Sequence, residues 1–364
     1  MAPYVRPEGP GNRQNMMLFV VDQIAGAEYI APLLRKWLSN GQHDWVVLAT
    51  NKSSTCLNSN GIPYELLASC TDTDVEGWLD RVSPDRALLS TSMPNDLEHL
   101  FVRALQSRNI PCAQLIDNWI NLRGRFEFKE PTGSIGLLVP DCVLTLDEYA
   151  KKILVEGGLP EKRIEVIGQP HWEDCWRKGL ANPVTPAEPK LGLMISQPIS
   201  RFYGKDLGYD EKDFVRCCIE SWESIGLDSS RLHLLVHPAE DPNAYAGLLD
   251  KTGRKIATLQ GAEVRLARYS LIMGMSSSML TQSLLEGIPT VSVQPGAIGA
   301  DRCIASERGL IPRFVTSPSL ARYMHEVWPS AASTSNTIEH VERVVDGSLA
   351  RLEECLLSFS AQIE

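Results

Sequence analysis

Residues 271–293 read LIMGMSSSMLTQSLLEGIPTVSV. An apolar strand runs to Gly274. Ser276, Ser277 and Ser278 then open a helix expected over 278–286, with Met279, Leu280, Leu284 and Leu285 on its inward face. Gly287-Ile288-Pro289 stops that helix just before a second apolar strand, 290–293. A buried strand, a crossing helix and a second buried strand at this spacing make a right-handed βαβ unit, which belongs in a parallel sheet.

The alternation continues on both sides. Upstream in the same half come expected strands at 191–195 and 232–236, with a helix at 213–224 between them. The N-terminal half begins with a strand at 16–21 (MMLFVV). A helix at 28–38 follows, its stripe made by Ile30, Leu33, Leu34, Trp37 and Leu38 and ended by Asn40-Gly41. Then come a strand at 45–49, a loop, a short strand at 64–67, a helix at 74–82 and a strand at 87–90. A helix at 96–107, strands at 112–116 and 142–145, and a helix starting near 147 complete the half.

Residues 173–190 hold Asn182-Pro183, Pro186 and Pro189 and read as a linker. The expected organisation is a disordered, Pro/Gly-rich lead-in (1–14), a Rossmann-like domain (15–172), the linker, a second Rossmann-like domain (191–335) and a C-terminal segment (336–364). A long amphipathic helix over 337–363 either crosses back to the first domain or pairs with a second copy as a homodimer.

The chain has 364 residues, more than one core usually organises. With 43% apolar and 22% charged residues, it has the composition of a folded globular protein. Its 35 Lys and Arg against 45 Asp and Glu give −10, which excludes a sequence-independent nucleic-acid binder. No apolar run is long enough to span a bilayer, and 16–21 is too short for a signal-peptide core, so a cytoplasmic location is expected. The nine cysteines contain no C-x-x-C pair, and Cys217 and Cys218 are adjacent. They read as reduced apolar residues, not as disulfides or zinc ligands, and no structural metal is expected.

Ligands of open α/β sheets bind beyond the carboxyl ends of strands, so those junctions carry the candidates. The serine triplet offers hydroxyls, free N–H groups and the positive end of a helix dipole, which suits a phosphate; plain N-capping is the alternative. At 232–241 (LHLLVHPAED), His237-Pro238 directly follows a strand, where an imidazole can donate to a phosphate oxygen or simply cap a loop.

His-Pro at one strand end, Ser-Ser at another and a helix closing on Gly-x-Pro resemble the nucleotide-binding half of GT-B glycosyltransferases across 232–293. The two-domain plan resembles them more loosely. Within that superfamily the pattern is most similar to bacterial sialyltransferase-like enzymes that use CMP-activated nonulosonic acids. UDP-N-acetylglucosamine 2-epimerases look similar too.

The resemblance implies an α/β fold of two Rossmann-like domains whose parallel sheets face a central cleft. It implies donor binding by His237, Pro238, Gly274, Ser276, Ser277 and Ser278. Gln282 stands where a ribose-binding carboxylate is usual, with Glu286 one turn later. Gln197, followed by Arg201 and Lys205, would approach the donor, and Gln294 would border the base. His171, at the last strand end of the first half, either faces the donor or serves a hinge.

Inverting GT-B enzymes use an N-terminal-domain carboxylate or His as general base. In DQIAGAE (22–28) the first candidate is Asp22 and the second Glu28, with Gly26 permitting close approach of the acceptor. Helix entry is the plain alternative for Asp22. The run IDNWINLRGRF (116–126) combines Asp117, Asn118, Trp119, Asn121 and Arg123, which suits a polyhydroxylated or anionic acceptor. A surface loop anchored by a buried Trp explains it as well.

Dinucleotide, P-loop and nucleophile-elbow motifs are missing from the sequence. The Asp72-Thr73-Asp74 pair reads as helix capping. The expected activity is a metal-independent, inverting glycosyl transfer without cofactor, from a CMP- or UDP-linked sugar to a carbohydrate or glycoconjugate hydroxyl. The alternatives are a UDP-sugar 2-epimerase and a GT-B-like binding subunit without chemistry.

Overall fold

A computed structural model describes residues 16–67, 70–92, 96–129, 133–181, 190–250, 256–259, 264–326 and 345–358. It divides into two compact units, Met1–Asp174 with Val344–Glu364, and Cys175–Arg343.

The first unit runs β1 (Met17–Val21), α1 (Ile24–Ser39), β2 (Trp45–Ala49), α2 (Asn51–Ser59), β3 (Glu65–Leu66), α3 (Asp72–Val82), β4 (Arg86–Leu89), α4 (Asp96–Ser107) and β5 (Cys112–Leu115). A small antiparallel hairpin, β6 (Glu127–Lys129) and β7 (Ile135–Leu137), precedes β8 (Cys142–Thr145), α5 (Glu148–Glu156) and β9 (Ile164–Val166), and the division between the units falls within α6 (Pro170–Ala181). The main sheet has order β3-β2-β1-β4-β5-β8-β9, and all its strands are parallel.

Every residue of β1 is buried, as a strand covered on both faces requires. Met17, Phe19 and Val21 pack with α1, while Leu18 and Val20 pack with α3 and α4 on the other face. That two-sided burial makes the domain doubly wound and Rossmann-like.

The second unit runs β10 (Gly192–Ile195), α7 (Ile199–Tyr203), α8 (Glu211–Ser224), β11 (Leu232–Leu235), α9 (Ala246–Asp250), β12 (Ala257–Leu259), β13 (Leu271–Gly274), α10 (Ser278–Leu285), β14 (Thr290–Val293), α11 (Ile304–Glu307), β15 (Arg313–Phe314) and α12 (Ser317–Glu326). Its six strands are parallel in the order β12-β11-β10-β13-β14-β15. It too is Rossmann-like, and the unit of 271–293 is β13, α10 and β14, as its sequence implies.

Two expectations change. The loop expected after β2 is α2, started by Thr50, whose hydroxyl accepts the Lys52 N–H. The linker expected from 173 is helical as far as Ala181, because Pro170 suits a first turn and Trp172, Cys175 and Trp176 are buried. Its remainder, 182–189, lies outside the described residues, as do the lead-in at 1–14 and residues 327–344.

Of the expected C-terminal helix, the described part is α13 (Ser348–Ser358), which belongs to the first unit. Leu352 and Leu356 enter the core beside α1. The Glu173 carboxylate accepts the Gly347 and Leu349 N–H groups and the Ser348 hydroxyl at the N-terminus of α13. At the other end, Arg86 donates to the Leu356 and Leu357 carbonyls. Charges of opposite sign to the helix dipole therefore hold both ends of α13. No helix among the described residues is long and apolar enough to cross a membrane.

Candidate functional site

In a doubly wound sheet the crevice lies where the strand order reverses. Here that is between β10 and β13 in the second domain, and between β1 and β4 in the first.

In the second domain, Ile195 is in register with both Leu235 and Gly274. Two residues further along the three strands stand Gln197, His237 and Ser276, side by side along one edge. With strands about 4.8 Å apart, the imidazole and the mouth of α10 are roughly 10 Å from each other. The row is tied together by hydrogen bonds. Ser276 donates both its N–H and its hydroxyl to Gln197 Oε1, at 2.8 and 3.2 Å. The next residue back, Ser196, donates to Glu240 Oε1 at 3.0 Å, and Tyr245 donates to the same oxygen at 2.6 Å. Glu240 Oε2 accepts the His237 N–H at 3.0 Å.

The exposed His237 ring accepts the Ala239 N–H on Nδ1 at 3.1 Å, so the neutral ring carries its proton on Nε2. A donor is thus presented to solvent, and Ser278, the first residue of α10, is exposed as well. Pro238 shares that exposed turn.

Other expected donor contacts have different tasks. The Ser276 N–H is already used by Gln197, and the Ser277 hydroxyl caps α10 by accepting the Met279 N–H. A Cβ on Gly274 would sit 2.9 Å from Leu280, so this glycine lets α10 pack on β13 and does not serve a ligand's approach. Gln294 is wholly buried and donates to Ser292 and Asp301, tying β14 to the following loop. Gln282 donates to Glu286 at 3.1 Å; burial raises the pKa of Glu286, opposed by this bond and by Lys178.

In the first domain, Asp22 follows β1 and Ser90 follows β4. Asp22 gives its N–H to the Ser90 hydroxyl, and its carboxylate is met by Lys52 at 3.1 Å and Gln23 at 2.6 Å. A Cβ on Gly26 would lie 2.5 Å from Ser90 Cβ. Gly26 therefore leaves the room that Ser90 occupies. Ser90 and Ser92 donate to the two oxygens of Glu98, a wholly buried side chain.

Burial pushes the Glu98 carboxyl up to about 7 against those two hydroxyls, with the Asp22 charge adding to the rise. Burial, reinforced by the Asp117 charge, brings Glu28 up to about 7 as well. Asp117 is itself paired to Arg125 at 2.6 Å, both side chains being buried. Arg125 also donates to the Thr91 carbonyl and hydroxyl, to Asn118 Oδ1 and to the Ile120 carbonyl, clamping the loops after β4 and β5. Four carboxyl groups thus gather at the carboxyl edge of this sheet. Glu98 has no signal of its own in the sequence, and Arg125 stands there only as the second guanidinium of the 116–126 run.

The rest of 116–126 is structural. Trp119 is buried 4.8 Å from Trp172 and donates to Asp147, so its ring is not an open stacking face. Arg123 turns away to Glu127 and the Gly157 carbonyl. Asn118 caps its own turn by accepting the Ile120 N–H, and Asn121 adopts left-handed backbone (φ 50°) with its side chain against Gly124. His171 gives its N–H to Gln169 in the first turn of α6. Among the described residues no group of three or more His, Cys, Asp and Glu could hold a metal ion.

The raised carboxyls set a pH dependence. Between 4.5 and about 7 the folded chain binds protons that the unfolded chain has released, so their contribution is complete below 4.5 and is lost as pH rises through 7. Glu98→Gln removes one such titration, on the order of 3 kcal/mol at pH 8. The fall in Tm from pH 5 to pH 8 is expected to be shallower in this variant than in the unaltered protein. Parallel Tm curves would refute the assignment.

No protein-family model and no curated protein matches this sequence. Solved structures do. UDP-GlcNAc 2-epimerase from Neisseria meningitidis, bound to UDP-GlcNAc, superposes with TM-score 0.66 and 12% identity over 94% of this chain and 99% of its own. A putative UDP-N-acetylglucosamine 2-epimerase from Listeria monocytogenes gives 0.68 and 12% over 96% and 98%. The glycotransferase of kitacinnamycin gives 0.55 and 15% over 95% and 99%. At these identities the likeness is one of architecture: the chain has a GT-B-like fold of two Rossmann-like domains.

Proposed function

We propose that the chain is a sugar-nucleotide enzyme. Its second domain holds the diphosphate or phosphate of the donor with His237 Nε2 and the mouth of α10 at Ser278, and its first domain supplies the carboxyl chemistry. The observation that carries this reading is the row Gln197, His237 and Ser276 at one strand-end edge, joined by hydrogen bonds through Ser196 and Glu240. The imidazole and the dipole of α10 neutralise charge on the departing phosphate without a metal.

Within this class, inverting transfer of a CMP- or UDP-linked sugar to a hydroxyl is the first reading. Glu28 suits the general base better than Asp22: a carboxyl poised near 7 works at neutral pH, whereas Lys52 and Gln23 already engage Asp22. A second reading, 2-epimerisation of the bound sugar nucleotide, is favoured by the number of carboxyls gathered around β1, β4 and β5. That reaction needs groups to remove and return a proton.

Calorimetric titration with UDP and CMP tests the phosphate grip. His237→Ala is expected to weaken binding by about tenfold or more, as loss of a bond to a charged group does. Undiminished affinity in both His237→Ala and Ser278→Ala would remove the site. Incubation of UDP- and CMP-sugars in D2O, with and without saccharide acceptors, separates the chemistries. Free nucleotide with a new glycoside marks transfer, and deuterium at C2 without acceptor marks epimerisation. Binding with neither product marks a subunit without chemistry.

A further inference from the structure

Two thiols meet on the first unit, at the far end of its sheet from the carboxyl cluster. Cys142 opens β8 and is buried, and Cys355 lies in the C-terminal half of α13, half-buried against the same apolar cluster. The two thiols line one cavity and each perturbs the other's protonation. A cavity of about 260 Å³ is lined by both cysteines and by Glu165, Arg351, Glu354 and Ser358. Interaction with Cys142 draws the Cys355 thiol below the ordinary pKa of a thiol, against burial and the Glu165 and Glu354 charges. Cys355 is the more exposed of the two and is therefore the attacking member, with buried Cys142 the resolving one.

We propose that Cys142 and Cys355 form a peroxide-oxidisable dithiol site that reversibly staples α13 to the sheet of the first unit. The Cys355 thiolate attacks hydrogen peroxide: an S–O bond forms, the O–O bond breaks, and the hydroxide released takes up a proton as water. The Cys142 sulfur then attacks the sulfenic sulfur; the S–S bond forms, the S–O bond breaks, and the hydroxide leaves as water with the Cys142 proton. Two thiols lose two electrons and one peroxide becomes two waters. The ring so closed contains the whole second unit. Its effect therefore falls on the return of the chain to the first unit, whatever the enzyme's substrate.

The experiment treats the full chain with hydrogen peroxide and maps disulfides by mass spectrometry, counting thiols after denaturation. The expected result is a linked peptide joining residues 142 and 355, loss of two of the nine thiols, and a thermal midpoint several degrees higher than that of the reduced protein. Dithiothreitol is expected to reverse all three changes, and Cys355→Ser to abolish them. Oxidation confined to Cys56 or Cys70, the other half-buried cysteines, overturns the proposal. So does a Cys355 that runs on to the sulfinic acid with Cys142 still free, or a linked peptide with no rise in the midpoint.

Discussion

Arg125→Met is expected to lower the unfolding free energy by about 3 to 5 kcal/mol, because it leaves Asp117 buried with its charge uncompensated. The same change strips donors from the Thr91 and Ile120 carbonyls and from Asn118, so the loops after β4 and β5 lose their common clamp. Urea unfolding with linear extrapolation measures the loss. Combining Arg125→Met with Asp117→Asn should recover part of it, since the second change removes the stranded charge. A single-variant loss below about 1 kcal/mol would mean that water reaches the pair and that it is a surface ion pair in effect.

The second large effect falls on turnover. Glu28→Gln keeps the shape of the side chain but cannot take a proton, and kcat is expected to fall by about 10²- to 10⁴-fold. UDP or CMP affinity should be unchanged, because the groups proposed to hold phosphate lie in the other domain. Asp22→Asn should cost less, its carboxylate being bonded to Lys52 and Gln23. Glu28→Gln with near-normal turnover, or an Asp22→Asn variant that is the more impaired, would return the base to Asp22.

Much of the architecture was legible because its punctuation is local. The strand Trp45–Ala49, the helix Asp96–Ser107 and the strand Thr290–Val293 begin and end where their sequence patterns begin and end. Helix α2 was hidden: in NKSSTCLNS only Ser53 and Leu57 are buried, too few to show a period. The prolines at 183, 186 and 189 drew the expected linker forward over residues that are in fact the buried face of α6.

The site divides in the same way. His237 and the serine triplet are announced by their own neighbours in sequence. Glu98 is defined by Ser90 and Ser92, which reach it only once α4 has folded back beside β4. Of the two arginines at 123 and 125, the one that turns inward depends on the tight turn at Arg123–Phe126 and on the left-handed Asn121 before it. Trp119 looked like an open face because its partner, Trp172, is distant in sequence.

The position of α13 constrains the order in which the molecule can be built. Leu352 and Leu356 belong to a core whose other members leave the ribosome long before them, with the whole second unit synthesised in between. At about 5 to 20 residues per second that interval is on the order of ten seconds or more. Throughout it the first sheet has one apolar flank without its final cover, and Arg86 and Glu173 lack the helix ends they hold. The nascent chain is therefore exposed to chaperones and proteases on that flank until α13 has been made, and a truncation before residue 348 would leave it in that state permanently.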